Sequence, residues 1–176
     1  MSQLKVNSII PVSGVPTGGG GGITQVISTF KDDTFTTTSN SLVDITGFSL
    51  TITPSSNSSK ILILSNAAWG NNTNTAAFAT FQLVRVVGGT ATHIAEPSDT
   101  TQSFGGTATM SNPNGNVIFT LNRMAYQFLD SPATTSAVTY KWQVHSDGSA
   151  QVLINTRSYN AVMATTSSIT AFEVSA

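Results

Sequence analysis

The chain has 176 residues, a formal net charge of −1 from seven Lys and Arg against eight Asp and Glu, and no cysteine. Charged residues make up only 9% of it, against roughly 25% in ordinary soluble proteins, which excludes the clustered cations that nucleic acid or an anionic membrane surface requires. The missing thiols exclude disulfide scaffolds, thiolate zinc sites and thiol catalysis, while 39% hydrophobic content still supports one folded domain with a short appendage.

In chain order, the opening MSQLKVNSIIPVSG has one cation, few apolar residues and an early proline. It lacks the long apolar stretch of a signal peptide, and no later run approaches the ~20 apolar residues of a membrane span. A soluble protein assembled in a cytoplasm is expected, without membrane insertion. Leu4, Val6, Ile9, Ile10 and Val12 are apolar and mostly β-branched, and five consecutive glycines follow at Gly18–Gly22. A glycine run has maximal backbone freedom and no side chain to pack, so it reads as a joint. Residues 1–22 are therefore expected to form an extended anchoring arm with its joint, and 23–176 the folded domain.

Beyond the joint the apolar period is two, which is the period of a strand. Gln25–Phe30 is the first expected strand. Phe48, Leu50 and Ile52 alternate with Ser49 and Thr51 until Pro54. Ile61–Leu64 is apolar on both phases, which suits a central strand or one covered by a neighbouring subunit. Gly70–Thr75 reads as a loop after Trp69. Phe78–Val87 is expected to be a strand, with Gly88-Gly89 closing a hairpin. Ser98–Asn116 reads as a long loop that ends in the turn cluster Asn112-Pro113-Asn114-Gly115. Strands follow at Val117–Leu121, at Met124–Phe128 before Asp130-Ser131-Pro132, and at Val138–Val144 before the Asp147-Gly148 turn. Gln151–Asn155 and Ile169–Val174 complete the set. No stretch sustains a helical period. Some nine short strands separated by Gly, Asn and Ser clusters predict an all-β protein, an antiparallel two-sheet β-sandwich of jelly-roll type.

Catalytic chemistry finds little purchase. His93 and His145 form no metal-ligand pair, no Gly-x-Ser-x-Gly elbow occurs, and the acidic residues suggest no facing pair of carboxyls. Asp32-Asp33 is the one adjacent acidic pair and supplies too few oxygens for calcium by itself. The glycine run is followed by neither Lys-Ser/Thr nor a helix, so it is no phosphate loop. No enzyme, cofactor or metal is expected. Binding through surface shape remains: Trp69, Asn71, Asn72, Phe104 and Tyr159 are the candidate recognition residues, because aromatic faces among Asn, Ser and Gly suit a sugar or protein surface.

Four segments resemble a known group. Leu4-Lys5-Val6-Asn7-Ser8-Ile9 with Pro11 and the glycine joint resembles the start of small virion structural proteins of tailed phages, particularly those of cyanobacteria. TGFSLTITPSSNSSKILIL at 46–64, LDSPATTSAVTYKWQV at 129–144 and SSITAFEV at 167–174 resemble the sandwich strands of the same proteins. The resemblance implies a trimeric β-sandwich module of the kind that recurs on capsid surfaces and at fibre tips, and it supplies no catalytic residues. A long fibre needs a shaft with repeats, and none is present. The expectation is a homotrimeric capsid cement or decoration protein on the outer surface of the virion. Its arm would dock on the major capsid protein or another virion protein, and a host surface polysaccharide is a candidate ligand. A short tail or head fibre that binds a receptor is the alternative, and a free carbohydrate-binding module a further one.

Overall fold

The computed structural model describes residues 22–72, 77–98, 106–112, 119–148, 150–157 and 163–175. The anchoring residues Leu4, Val6, Ile9, Ile10 and Val12, and the candidate recognition residues Phe104 and Tyr159, lie outside the described residues.

Eleven strands follow one another: β1 (Ile23–Lys31), β2 (Phe35–Thr37), β3 (Val43–Ile52), β4 (Lys60–Asn71), β5 (Ala77–Val87), β6 (Thr90–Ile94), β7 (Ala108–Asn112), β8 (Asn122–Asp130), β9 (Val138–Ser146), β10 (Val152–Ile154) and β11 (Ser167–Val174). Among the described residues there is no α-helix. All pairings are antiparallel and fall into two sheets. One has the order β1-β11-β4-β10-β2, with β8 on the other side of β4; the second has the order β3-β9-β5-β6, with β7 also on β5.

Three pairs of strands share a row. β10 and β11 lie on the same side of β4, β1 and β2 pair with them in turn, and β6 and β7 share one side of β5. Counted as rows in chain order, the first sheet reads 1-8-3-6 and the second 2-7-4-5. That order is the jelly roll, two Greek keys folded into two facing sheets.

The period-two residues fill the space between the sheets. Phe48, Leu50 and Ile52 of β3 and Tyr140, Trp142 and Val144 of β9 face Ile61 and Ile63 of β4 and Ile169 and Ala171 of β11. Trp142 stacks on Phe48 at 6.5 Å and meets Tyr126 edge-on at 5.9 Å, geometries that suit the ring quadrupoles. Two polar bridges join the sheets through this core. The Trp142 indole donates to Ser65 Oγ at 2.9 Å. Asp130 of β8 accepts from Arg85 at 2.8 and 3.0 Å and from the Tyr140 hydroxyl at 2.7 Å.

Several elements differ from the sequence reading. β4 continues past Trp69 through Gly70-Asn71, the start of the expected Gly70–Thr75 loop. Gly70 permits this, because a Cβ there would sit 3.0 Å from the Thr156 carbonyl and 3.1 Å from that of Thr120. β7 occupies part of the expected Ser98–Asn116 loop, pairing with β5 from Phe81↔Ala108 to Ala77↔Asn112. Residues 119–121, read as the end of a strand, are not strand. Ile61–Leu64 is central, flanked by β11 and β8.

Candidate interaction surface

Trp69 cannot offer an aromatic face to a ligand. It is 0% exposed and packs edge-on against Phe81 at 6.5 Å, because the strand phase that buries Ile61 and Ile63 also turns Trp69 inward. Asn71 is likewise buried, opposite Val152 in the ladder. Asn72 is exposed, and its side-chain oxygen accepts from the Gln151 amide at 2.8 Å. The cluster expected around Trp69 therefore contributes one exposed residue among those described.

Most of the charged side chains serve the fold. The Lys31 ammonium, wholly buried, donates to Asp33 Oδ1 at 2.6 Å and to the Thr46 carbonyl at 2.7 Å. The Lys31 hydrogen bond holds the Asp33 carboxyl below its ordinary pKa. One member of the Asp32-Asp33 pair is thus already engaged. Burial pushes the Tyr140 phenol well above its usual range, and the hydrogen bond to Asp130 adds to the effect. Burial works against the charge of Glu173, yet hydrogen bonds from the Ser55 hydroxyl at 2.6 Å and amide at 2.7 Å outweigh it and lower its pKa. His93 meets Glu96 at 3.1 Å on the exposed β6 hairpin, and His145 lies 3.0 Å from the Ser146 carbonyl. Among the described residues, no group of three or more His, Asp or Glu could hold a metal ion.

The two outer faces of the sandwich are chemically unlike. Outside the second sheet, Asp44 accepts from Lys141 at 2.7 Å and Gln143 at 2.8 Å, and Thr51 pairs with Thr139 at 2.8 Å. Burial opposes the Asp44 charge, but these two donors prevail and its pKa falls.

The first sheet carries an apolar row across its whole width. Val26 of β1 stands opposite Phe172 of β11, Phe172 opposite Leu62 of β4, and Leu62 opposite Leu129 of β8. The next rows are Ser28, Thr170, Leu64 and Gln127, then Phe30, Ser168, Asn66 and Ala125. Cations stand only at its ends, at Lys60 and at Arg123. Arg123 is held by Asn66 at 2.8 Å, Thr165 at 2.5 Å and the Thr166 carbonyl at 3.0 Å. Sequence reasoning found this face only in part, through the two-sided Ile61–Leu64. Val26, Phe30, Leu129 and Phe172 each occupy the opposite strand phase from their core neighbours, a signal that emerges only once register is known.

No protein-family model and no curated protein sequence matches the chain. Among solved structures, it is similar to the VP2 subviral particle of infectious bursal disease virus, with a TM-score of 0.42 and 14% identity over 86% of this chain and 38% of that one. It is also similar to the Gx strain of the same virus, with a TM-score of 0.42 and 13% identity over 94% of this chain and 46% of the other. The chain spans less than half the length of these proteins. The likeness is loose, and the jelly roll stands on the strand order itself.

Proposed function

We propose that the chain is a non-enzymatic structural protein of a tailed-phage virion. In this reading it is a homotrimeric cement or decoration protein on the outer surface of the capsid, assembled in the host cytoplasm and attached through residues 1–22 to the major capsid protein or another virion protein. The observation that carries it is the row order 1-8-3-6 over 2-7-4-5, an architecture used by viral capsid and lectin domains. The segments that resemble phage virion proteins coincide with its centre. Residues 46–64 run from β3 into β4, residues 129–144 from β8 through β9, and residues 167–174 are β11. The engagement of Lys31, Arg85, Asp130 and Glu173 within the fold supports a non-enzymatic role. The number three rests on the resemblance.

The test is the copy number in purified particles, measured by quantitative mass spectrometry against the major capsid protein. A cement protein is present in fixed proportion to the shell lattice. A handful of copies would instead identify a short tail or head fibre, with Asn72 the exposed candidate on its recognition side. Absence from the particle would leave a free carbohydrate-binding module.

A further inference from the structure

The outer face of the β1-β11-β4-β8 sheet combines a large apolar area, a projecting aromatic ring and a depression. Five of its side chains, Ile23, Val26, Phe30, Leu64 and Leu129, are 38–71% exposed. They leave on the order of 500 Å2 of apolar surface open, near the upper end of the largest patch on an ordinary monomer, ~300–600 Å2. With strands ~4.8 Å apart and ~3.3 Å per residue, the face spans about 20 by 25 Å. The apolar area alone is more than half of the ~800 Å2 that each partner buries in a stable interface. No acidic residue stands on these rows, so nothing on the face calls for a basic partner.

Its relief is directional. Phe30, 71% exposed, projects from the β1 margin, where among the described residues β1 pairs only with β11. Between β11, β4 and β8 lies a shallow depression of about 440 Å3, lined by Leu64, Asn66, Ala125, Gln127, Ser168 and Thr170. Ala125 and Ser168 are small, and their short side chains lower the row beside the taller Leu64 and Gln127.

We propose that this face is the contact between copies of the chain, with Phe30 of one copy seated in the β11-β4-β8 depression of the next. Knob and hollow lie side by side on the one face; the proposed homotrimer requires the contact to be head-to-tail, and such a contact makes a ring when its rotation closes. The ring names the surface that the proposed homotrimer uses and rests on the oligomeric part of that reading. It is tested on purified protein, whereas the virion role is tested on particles, so each can fail alone.

The test uses the full chain. Sedimentation of the wild type at micromolar concentration should give a closed oligomer. Phe30→Asp and Ala125→Trp should each weaken association at least tenfold with the far-UV spectrum unchanged, while Thr139→Trp on the opposite sheet should leave it intact. Should those variants fail to fold, the cysteine-free chain offers a second readout, Ser28→Cys with Gln127→Cys. Within one copy these positions are three strand spacings apart, roughly 14 Å, beyond the ~7 Å Cα separation that a disulfide spans. Oxidation should therefore link copies into covalent dimers and trimers. A monomeric wild type, retained association in Phe30→Asp and Ala125→Trp, or the absence of linked copies would overturn the proposal. So would dissociation by Val6→Asp with Ile10→Asp, which would assign the face to the N-terminal arm.

Discussion

Glu173, buried between the β4 and β1 rows, depends on Ser55 to keep its charge. Asp33 and Asp44 are likewise held below their ordinary pKa, by Lys31 in the first case and by Lys141 and Gln143 in the second. A carboxyl whose pKa is depressed by folding contributes stability above its unfolded pKa of about 4 and loses it as pH falls through the folded value. The melting temperature should therefore hold between pH 7 and 5 and fall below about pH 4. Ser55→Ala should move that acid limb upward by removing one donor from Glu173. A melting temperature that rises on acidification would contradict this. Elsewhere in the core, Tyr140→Phe removes a donor to Asp130 and should cost about 1.5–3 kcal/mol by denaturant titration, the usual range for a hydrogen bond to a charged group. Arg85 should keep the fold intact, since its two contacts to Asp130 remain.

At the level of elements, β4 holds the first sheet together, with β11 and β10 on one side and β8 on the other. Ile63→Ala should cost about 2–5 kcal/mol, as a large-to-small change in a close-packed core does. Gly47 has a φ of 77° inside β3, where the register shifts between Asp44 and Ser49. Gly47→Ala should therefore destabilise by roughly 1 kcal/mol or more, the cost of a left-handed backbone for a residue with a Cβ. An unchanged unfolding midpoint in either variant would contradict these assignments. Strands with clean alternation, such as Val138–Val144 and Phe48–Ile52, were legible because one face is buried and the other wet. β7 was not, since its alternation rests on Ala108 and Met110 alone, between Gly105-Gly106 and a turn cluster, and the strand is defined by its pairing with β5. The three-residue β2 is too short to show a period. Trp69 misled for a related reason: the Gly-Asn pair after it has the composition of a turn, but close approach of two backbone carbonyls at Gly70 extends the strand. Asn155 at φ 63° marks another place that composition conceals. Its amide nitrogen donates to the Lys31 and Asp33 carbonyls at 2.8 and 2.9 Å and its oxygen accepts from Ser167 at 2.6 Å, pinning the break in row 1 to the break in row 8.

For the molecule as a whole, low charge and an apolar outer face mean that the proposed association would run through neutral contacts. The oligomer mass should then be the same in low salt and in ~1 M salt, where the Debye length is about 3 Å. Dissociation by salt alone would point to ion pairs instead. The proposed division of labour between sandwich and arm has a sharper consequence. Among the described residues the strands begin at Ile23, and the core cluster draws on Ile45 and later residues with Ile27 and Phe35 packed against it. Leu4, Val6, Ile9, Ile10 and Val12 stabilise only what they are buried against, at about 25 cal/mol per Å2 before the ordering cost is subtracted. Several arms on one oligomer would multiply a modest single-arm affinity. The decisive measurement is therefore made on a chain lacking residues 1–22, comparing its melting temperature and its binding to particles stripped of the protein. The account predicts a folded oligomer with nearly unchanged melting temperature that no longer attaches; a markedly lower melting temperature, aggregation, or undiminished attachment would contradict it.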